Sequence, residues 1–285
     1  MKTFDIKNTQ VLQAIAAIDS GSIAELLDLI DKQPRLVKDR LRNHDEGYFK
    51  DPYLLWFVAD NPIRVGKLPH NITEITRGLA RAVKRLAPDT CQYQLDYALG
   101  LVASGRTPHE CGVQIAMIDL LIVEGALPGG AMAALANGNL AAAQHLVGRG
   151  DHLTLAIAVC LENINDINNL IALASPGEKL TALAAAAHYG KAGMIKYLLD
   201  MKMDPNGFPD ANSGFHSHGT ALHQAVSSGC LNCVKLLVEA GARQDLPDKI
   251  YNGTPLGWAT YLQSDANEEP RKTNFYLIED YLRSL

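Results

Sequence analysis

GTALHQAVSSGCLNCVKLLVEAGA, Gly219 to Ala242, is the stretch that decides the fold. Thr220 opens a short apolar segment, Gly229 closes it, and a second apolar segment runs on to Gly241. A threonine caps the free N–H groups of a first helical turn, and a glycine takes the left-handed turn that ends a helix. In the second segment Leu231, Val234, Leu237 and Val238 recur at spacings of three and four, the stripe of a half-buried helix. One such helix pair leaves apolar surface on both sides. It is stable only when like pairs stack against it.

The rest of the chain supplies those neighbours. KLTALAAAAHYGKAGMIKYLLDMKMD, from Lys179, sets Thr181 and Gly190 nine positions apart, as Thr220 and Gly229 are. GTPLGWA places Thr254-Pro255-Leu256 34 positions after Thr220-Ala221-Leu222. NGNLAAAQHLVGRG holds Gly138 and Gly150 twelve apart, the spacing of Gly229 and Gly241. LTLAIAVCLENINDINNLIAL, from Leu153, keeps the apolar rhythm with Glu162 in the glycine position. Two earlier units are split: YLLWFVAD from Tyr53 with EITRGLARAVKRLA from Glu74, and LDYALGLVASG from Leu95 with MIDLLIVEGA from Met117. QAIAAIDSGSIAELLDLI, from Gln13, opens the series. The pattern predicts about eight helix pairs, the first and last atypical.

This pattern resembles the ankyrin repeat, whose hallmark is T-P-L-H-x-A, then Gly, then a leucine-rich second helix ending in Gly-Ala. Thr220-Ala221-Leu222-His223-Gln224-Ala225 matches with Ala221 for Pro, and Leu236 to Ala242 fits the second half. Gly257 stands for the histidine in the next unit, and Lys202 stands where a glycine would end a helix. The resemblance implies an all-α solenoid with finger loops, one domain over 1–285. Its parts would be a capping unit over 1–52, two units with inserted turns over 53–127, regular units over 128–260 and a capping helix over 261–285. It also implies structural roles for Thr181, Gly190, Thr220, Leu222, His223, Gly229, Leu237, Gly241, Thr254 and Pro255. His223 would hydrogen-bond backbone and threonine groups at a helix start.

Composition narrows the function. Hydrophobic residues make 47% of the chain and aromatics 6%, which suits close-packed helices of Ala and Leu better than a β-sandwich. Lys+Arg number 26 against Asp+Glu 31, so no basic excess exists to neutralise phosphates and nucleic acid is not an expected partner. No run of 18 apolar residues predicts a membrane span. MKTFDIKNTQ lacks the apolar stretch of a signal peptide, and the five cysteines (Cys91, Cys111, Cys160, Cys230, Cys233) read as reduced thiols, which predicts a cytoplasmic protein.

The chemistry-bearing residues cluster in FHSHGTALHQAVSSGCLNC, with His216, His218, His223 and a Cys230-x-x-Cys233 pair. The repeat assigns Cys233 to the buried helix face, so the spacing is not read as a zinc site. His216 and His218 lie in the segment Asp204 to Gly219. Thr181 to Thr220 spans 39 positions, about five more than the next step, so this finger is long. By resemblance, a partner protein of unidentified kind would bind the concave face and fingers, through Asn206, Phe208, Phe215, His216 and His218, and through first-helix positions His188, Tyr189, Gln224 and Ser228.

ADNPIRVGKLPHN (59–71) and ASGRTPHECGVQ (103–114) lengthen the turns of consecutive units and are expected side by side. They offer Arg64, Lys67, His70, Arg106, His109, Glu110 and Cys111, either as mutual cover or as a small-molecule or metal site of an enzyme or regulator. His109, Glu110 and Cys111 are sequence neighbours, which rarely face one another as nucleophile and base. No phosphate-binding loop, dinucleotide fingerprint or metalloprotease motif occurs. No catalytic residue and no cofactor is therefore assigned. A third reading is a bacterial effector or antidote that binds a host or toxin protein. Trp56 and Trp258 fall within helical patterns as packing residues, with Trp258 the alternative anchor for a partner. Ser264 to Asn274 is a polar break, and NFYLIEDYLRSL a closing helix that covers the last unit with Phe275, Leu277, Ile278, Tyr281 and Leu282.

Overall fold

Paired helices account for nearly all of the regular structure. The computed structural model describes residues 4–43, 46–265 and 271–285, and the middle of the polar break, 266–270, lies outside the described residues. The chain divides into two compact units, Met1–His152 and Leu153–Leu285.

In the first unit β1 (Phe4–Asp5) pairs in parallel with β2 (Leu41–Arg42), the two strands found among the described residues. Between them run α1 (Thr9–Ser20), α2 (Ile23–Lys32) and α3 (Arg35–Lys38). The Asn8 side chain caps α1 by accepting from the Gln10 N–H, and Gly21 ends it in the left-handed region, φ 84°. A 3-10 helix, Leu54–Ala59, buries all six of its residues. Then follow α4 (Ile72–Leu86), α5 (Pro88–Ser104), α6 (Arg106–Glu110), α7 (Gln114–Val123), α8 (Ala131–Ala136) and α9 (Leu140–Gly148). The pairs are α1 with α2, the 3-10 helix with α4, α5 with α7, and α8 with α9. Both predicted insertions sit between the two helices of a pair.

Few aromatics are available, and this unit gathers many of them at one place. Trp56 stacks on Tyr97 with centroids 4.0 Å apart, and Tyr53 and Tyr93 meet its edge. Its indole Nε1–H donates to the Gln94 carbonyl at 3.2 Å. The Arg40 guanidinium lies 5.0 to 5.6 Å from the Tyr53, Trp56 and Tyr93 rings. A ring pocket that holds a cation and satisfies the indole N–H makes Trp56 a packing residue, as expected.

The second unit holds α10 (Leu155–Cys160), α11 (Ile164–Ile171), α12 (Pro176–His188), α13 (Ala192–Asp200), α14 (Ala221–Ser227), α15 (Leu231–Glu239), α16 (Pro255–Asp265) and α17 (Arg271–Arg283). The first helices pack in file, α10 on α12, α12 on α14 and α14 on α16, while α13 packs on α15 and α15 on α17. Ala182 to Ala187 are all fully buried, because α12 is gripped from both sides and methyl groups let the backbones approach.

Three expectations change. Thr181 does not open its helix. Ser175 and Glu178 form a capping box and Pro176 takes the first turn, so α12 starts earlier. Thr181 Oγ1 instead donates to the Gly177 carbonyl and accepts from the Asp210 N–H at 3.1 Å, tying helix to finger. Cys230 and Cys233 are joined as a disulfide rather than held as free thiols. Cys230 is the N-cap of α15 and its sulfur also faces the Cys233 N–H, one turn on. In α17 Phe275, Ile278 and Leu282 are buried, but Leu277 points outward. Glu162 and Lys202, which occupy glycine positions of the pattern, keep the glycine conformation at φ 58° and 64°.

Candidate functional site

The candidate surface is built where α12, α14 and α16 meet the loops before α14 and α16. His223 shows how the sequence shapes it. Its side chain is fully buried. Nδ1 accepts from the Thr220 N–H at 3.2 Å and the Thr220 hydroxyl at 2.8 Å. The proton therefore lies on Nε2, which donates to the Gly253 carbonyl at 3.0 Å and latches one unit to the next finger. Burial lowers the His223 pKa and favours this neutral form.

The finger of residues 204–219 is held at both ends. Asn206 Nδ2 donates to the Gly241 carbonyl, and its Oδ1 accepts from the Arg243 N–H at 2.8 Å. The Lys249 N–H donates to the His218 carbonyl at 2.9 Å, so successive fingers are bonded to each other. Lys249 Nζ lies 4.2 Å over the Phe208 ring. A chain of ring contacts follows: His188 to His216 at 5.0 Å, His216 to His218 at 6.0 Å, and His218 to Trp258 at 5.8 Å and Tyr251 at 6.4 Å.

Of the residues assigned to binding, His188, Tyr189, Asn206, Phe208, His216 and His218 are partly exposed and Ser228 is exposed. Phe215 and Gln224 are not available. Phe215 is 4% exposed and meets His188 edge-on. Gln224 is 3% exposed, with its Oε1 facing His188 Nδ1 at 3.2 Å. An acceptor there places the His188 proton on Nδ1. Burial lowers the His188 pKa, and the Gln224 bond works against that.

Asp248 was not assigned a role from sequence, yet it organises the second finger. Oδ1 accepts from the Ile250 and Tyr251 N–H groups, and Oδ2 from the Gly253 N–H and Trp258 Nε1–H, at 2.7 to 3.0 Å. Burial works against its charge, but these donors outweigh it and hold the carboxyl well below the usual carboxylate range. The signal was Trp258 ten residues after an aspartate with a glycine between, but no local pattern states that a loop folds back on an indole.

The two insertions of the first unit do touch. Asp60 is buried and accepts from the Arg64, Val65 and Gly66 N–H groups, and from the Thr107 hydroxyl at 3.0 Å. Arg64 turns inward, donating to Asp19 Oδ1 at 2.6 Å and the Phe57 carbonyl at 3.0 Å. Lys67, His70, Arg106, His109, Glu110 and Cys111 stay exposed, with Glu110 paired to Arg106. Nearby, a hollow of about 720 Å³ is lined by Tyr48, Asn61, Asp96, Tyr97 and Asn137 among others. Asn61 donates to the Leu101 carbonyl, Asp96 accepts from the Leu127 N–H, and the Tyr97 hydroxyl donates to the Tyr48 carbonyl. These side chains serve the fold. Among the described residues no group of three or more His, Cys, Asp or Glu is arranged to hold a metal ion. No helix among them is long and apolar enough to cross a membrane.

A family model for ankyrin repeats, three copies, matches residues 131–248. No curated protein matches the chain. Among solved structures the human ASB11 ankyrin repeat domain is similar, at 17% identity over 70% of this chain and 93% of that one, with a TM-score of 0.32.

Proposed function

The chain belongs to the ankyrin-repeat family through its repeats at residues 131–248, and we propose that it works by binding a partner protein and carries no catalysis of its own. The binding surface in this reading is the ring-lined face formed by α12, α14, α16 and the two fingers. One observation carries it: half-exposed rings run continuously from His188 to Trp258 across three successive helix pairs. Rigid amphipathic rings lose little entropy on docking and are enriched among residues that carry binding energy. The fingers are bonded to one another and to the helices, so the surface is preformed.

The test is an affinity capture from native lysate with mass spectrometry. The wild-type chain is compared with a Phe208→Ala, His216→Ala, His218→Ala variant and with a Lys84→Ala control in the first unit. A partner retained by the control and lost by the triple variant supports the assignment. Equal capture by all three refutes it.

A further inference from the structure

A bonded cysteine pair closes the first turn of α15. Cys230 is the N-cap and Cys233 follows three residues later. The bond joins groups that the helix already holds one turn apart. A disulfide constrains the unfolded chain more the longer the loop it closes, so this one contributes little to stability. Nor does it tie one helix pair to another, since both sulfurs belong to the same turn. A staple is a poor description of it, and its chemistry a better one.

The two sulfurs have unlike surroundings. Cys230 is partly exposed, whereas Cys233 is fully buried on the packed face of α15 with Val234 and Leu237. Only Cys230 can meet a reagent in solvent. Gly229 precedes it, and a side chain begun at Gly190 would stand 3.8 Å from the Cys230 Cβ. Glycine at both places keeps bulk away from the sulfur. Cys230 Sγ also faces the Cys233 N–H at 3.3 Å and the Gly190 carbonyl at 3.9 Å. Neither contact needs the S–S bond. The amide serves a thiolate as it serves the present sulfur, and a protonated thiol can donate to the carbonyl. Helix α15 therefore keeps its cap when the bond opens, and exchange needs no unfolding. A helix start also favours negative charge, which makes the N-cap sulfur the attacking group of the reduced pair. Cys91, Cys111 and Cys160 are free and have no such arrangement.

We propose that Cys230 and Cys233 form a site for thiol–disulfide exchange with a low-molecular-weight thiol of the glutathione type, Cys230 being the sulfur that carries the mixed disulfide. The site is independent of the binding role given above. In the reducing direction the small thiolate attacks Cys230 Sγ. A new S–S bond forms there, the Cys230–Cys233 bond breaks, and the Cys233 sulfur leaves and takes a proton. A second small thiolate then attacks the sulfur of the bound thiol and releases Cys230. Two thiols are oxidised to one disulfide, and the protein pair gains the two electrons. In the oxidising direction the Cys230 thiolate attacks a small disulfide and expels one thiolate, and Cys233 displaces the other from the adduct.

The test follows each cysteine of the folded full chain by isotope-coded alkylation and peptide mass spectrometry, with reduced and oxidised glutathione as the probes. The chain purified in air should hold the pair oxidised. Reduced glutathione at about 10 mM and about pH 7 should open most of it, since exposed disulfides, unlike structural ones, yield to the glutathione pool. Oxidised glutathione should then restore the bond. In reduced Cys233→Ala the same probe should leave one adduct on Cys230, formed about tenfold faster than that on the exposed Cys111. Cys230→Ser, which keeps a good N-cap, should leave Cys233 unmodified. Circular dichroism confirms that each variant folds, and the reduction and reoxidation of the wild type need no variant. Opening by dithiothreitol but not by glutathione would make the bond a structural one and overturn the proposal. So would thiols in the air-purified chain that oxidised glutathione does not join, an adduct on Cys230 no faster than on Cys111, or an adduct formed on Cys233 in preference to Cys230.

Discussion

Asp248→Asn isolates the hinge of the second finger with the smallest change in shape. The native carboxylate divides four donors evenly, the Ile250 and Tyr251 N–H groups on Oδ1 and the Gly253 N–H and Trp258 Nε1–H on Oδ2. An amide has one oxygen. Whichever way it is turned, two donors face an NH₂ group. A hydrogen bond to a charged acceptor contributes about 1.5–3 kcal/mol, and a buried donor without an acceptor costs a similar amount. Trp258 is half-exposed, so water satisfies part of the loss on that side. The expected destabilisation is about 2–4 kcal/mol, confined to the unit Leu153–Leu285. Urea unfolding followed by circular dichroism and tryptophan fluorescence measures it, and exchange of the Gly253 amide locates it. The double variant with Trp258→Phe removes one of the stranded donors. It should therefore lose about 1 kcal/mol less than the two single effects combined. The acid limb supplies a second check. The folded carboxyl is held below its unfolded value of about 3.9, so its contribution is complete above that pH and disappears as pH falls through the folded value. The variant should lose less stability than the wild type on acidification below about pH 4. A loss under about 0.5 kcal/mol at neutral pH, with an unchanged acid limb, would refute the assignment of Asp248 as the finger's anchor.

Leu237→Ala should cost about 2–5 kcal/mol in urea unfolding, because the side chain is fully buried within α15. Lys202→Gly should raise stability by about 0.5–1 kcal/mol, since Lys202 holds φ 64° and glycine enters that region without strain; a loss would show that the lysine's contacts matter more. Thiol labelling of the folded protein at neutral pH should modify the exposed Cys111 within minutes and leave Cys160 untouched until denaturant is added. Burial pushes the Cys160 thiol up to about 12. Thr107→Val should destabilise the first unit by about 1–2 kcal/mol by taking a donor from buried Asp60, measurable as a lower midpoint of its unfolding.

Much of the fold was legible because helix pairs write themselves locally. The Thr220, Gly229 and Gly241 punctuation and the apolar stripe between them recur, and each recurrence needs only its own residues. Position-specific roles were legible where one residue does one job, as His223 does. The losses came where the partner lies far along the chain. Thr181 looked like a cap because it aligns with Thr220, but Ser175, Pro176 and Glu178 begin the helix earlier. Phe215 looked like a surface aromatic because its neighbours form turns, yet its ring is covered by His188. Asp60 carried no assignment and Arg64 read as a loop residue for cover or for a site, because their partners, Thr107 and Asp19, lie more than 40 residues away on either side. Such contacts leave no periodic trace.

Asp60 and Arg64 together reach α1 through Asp19 and the next insertion through Thr107, so three successive hairpins share one polar knot. A stack whose members touch only their neighbours melts inward from its ends, one member at a time. A single knot that binds three members at once removes that freedom. The leading end should therefore open all at once or stay shut, and shortening either inserted turn would loosen helices that neither turn belongs to.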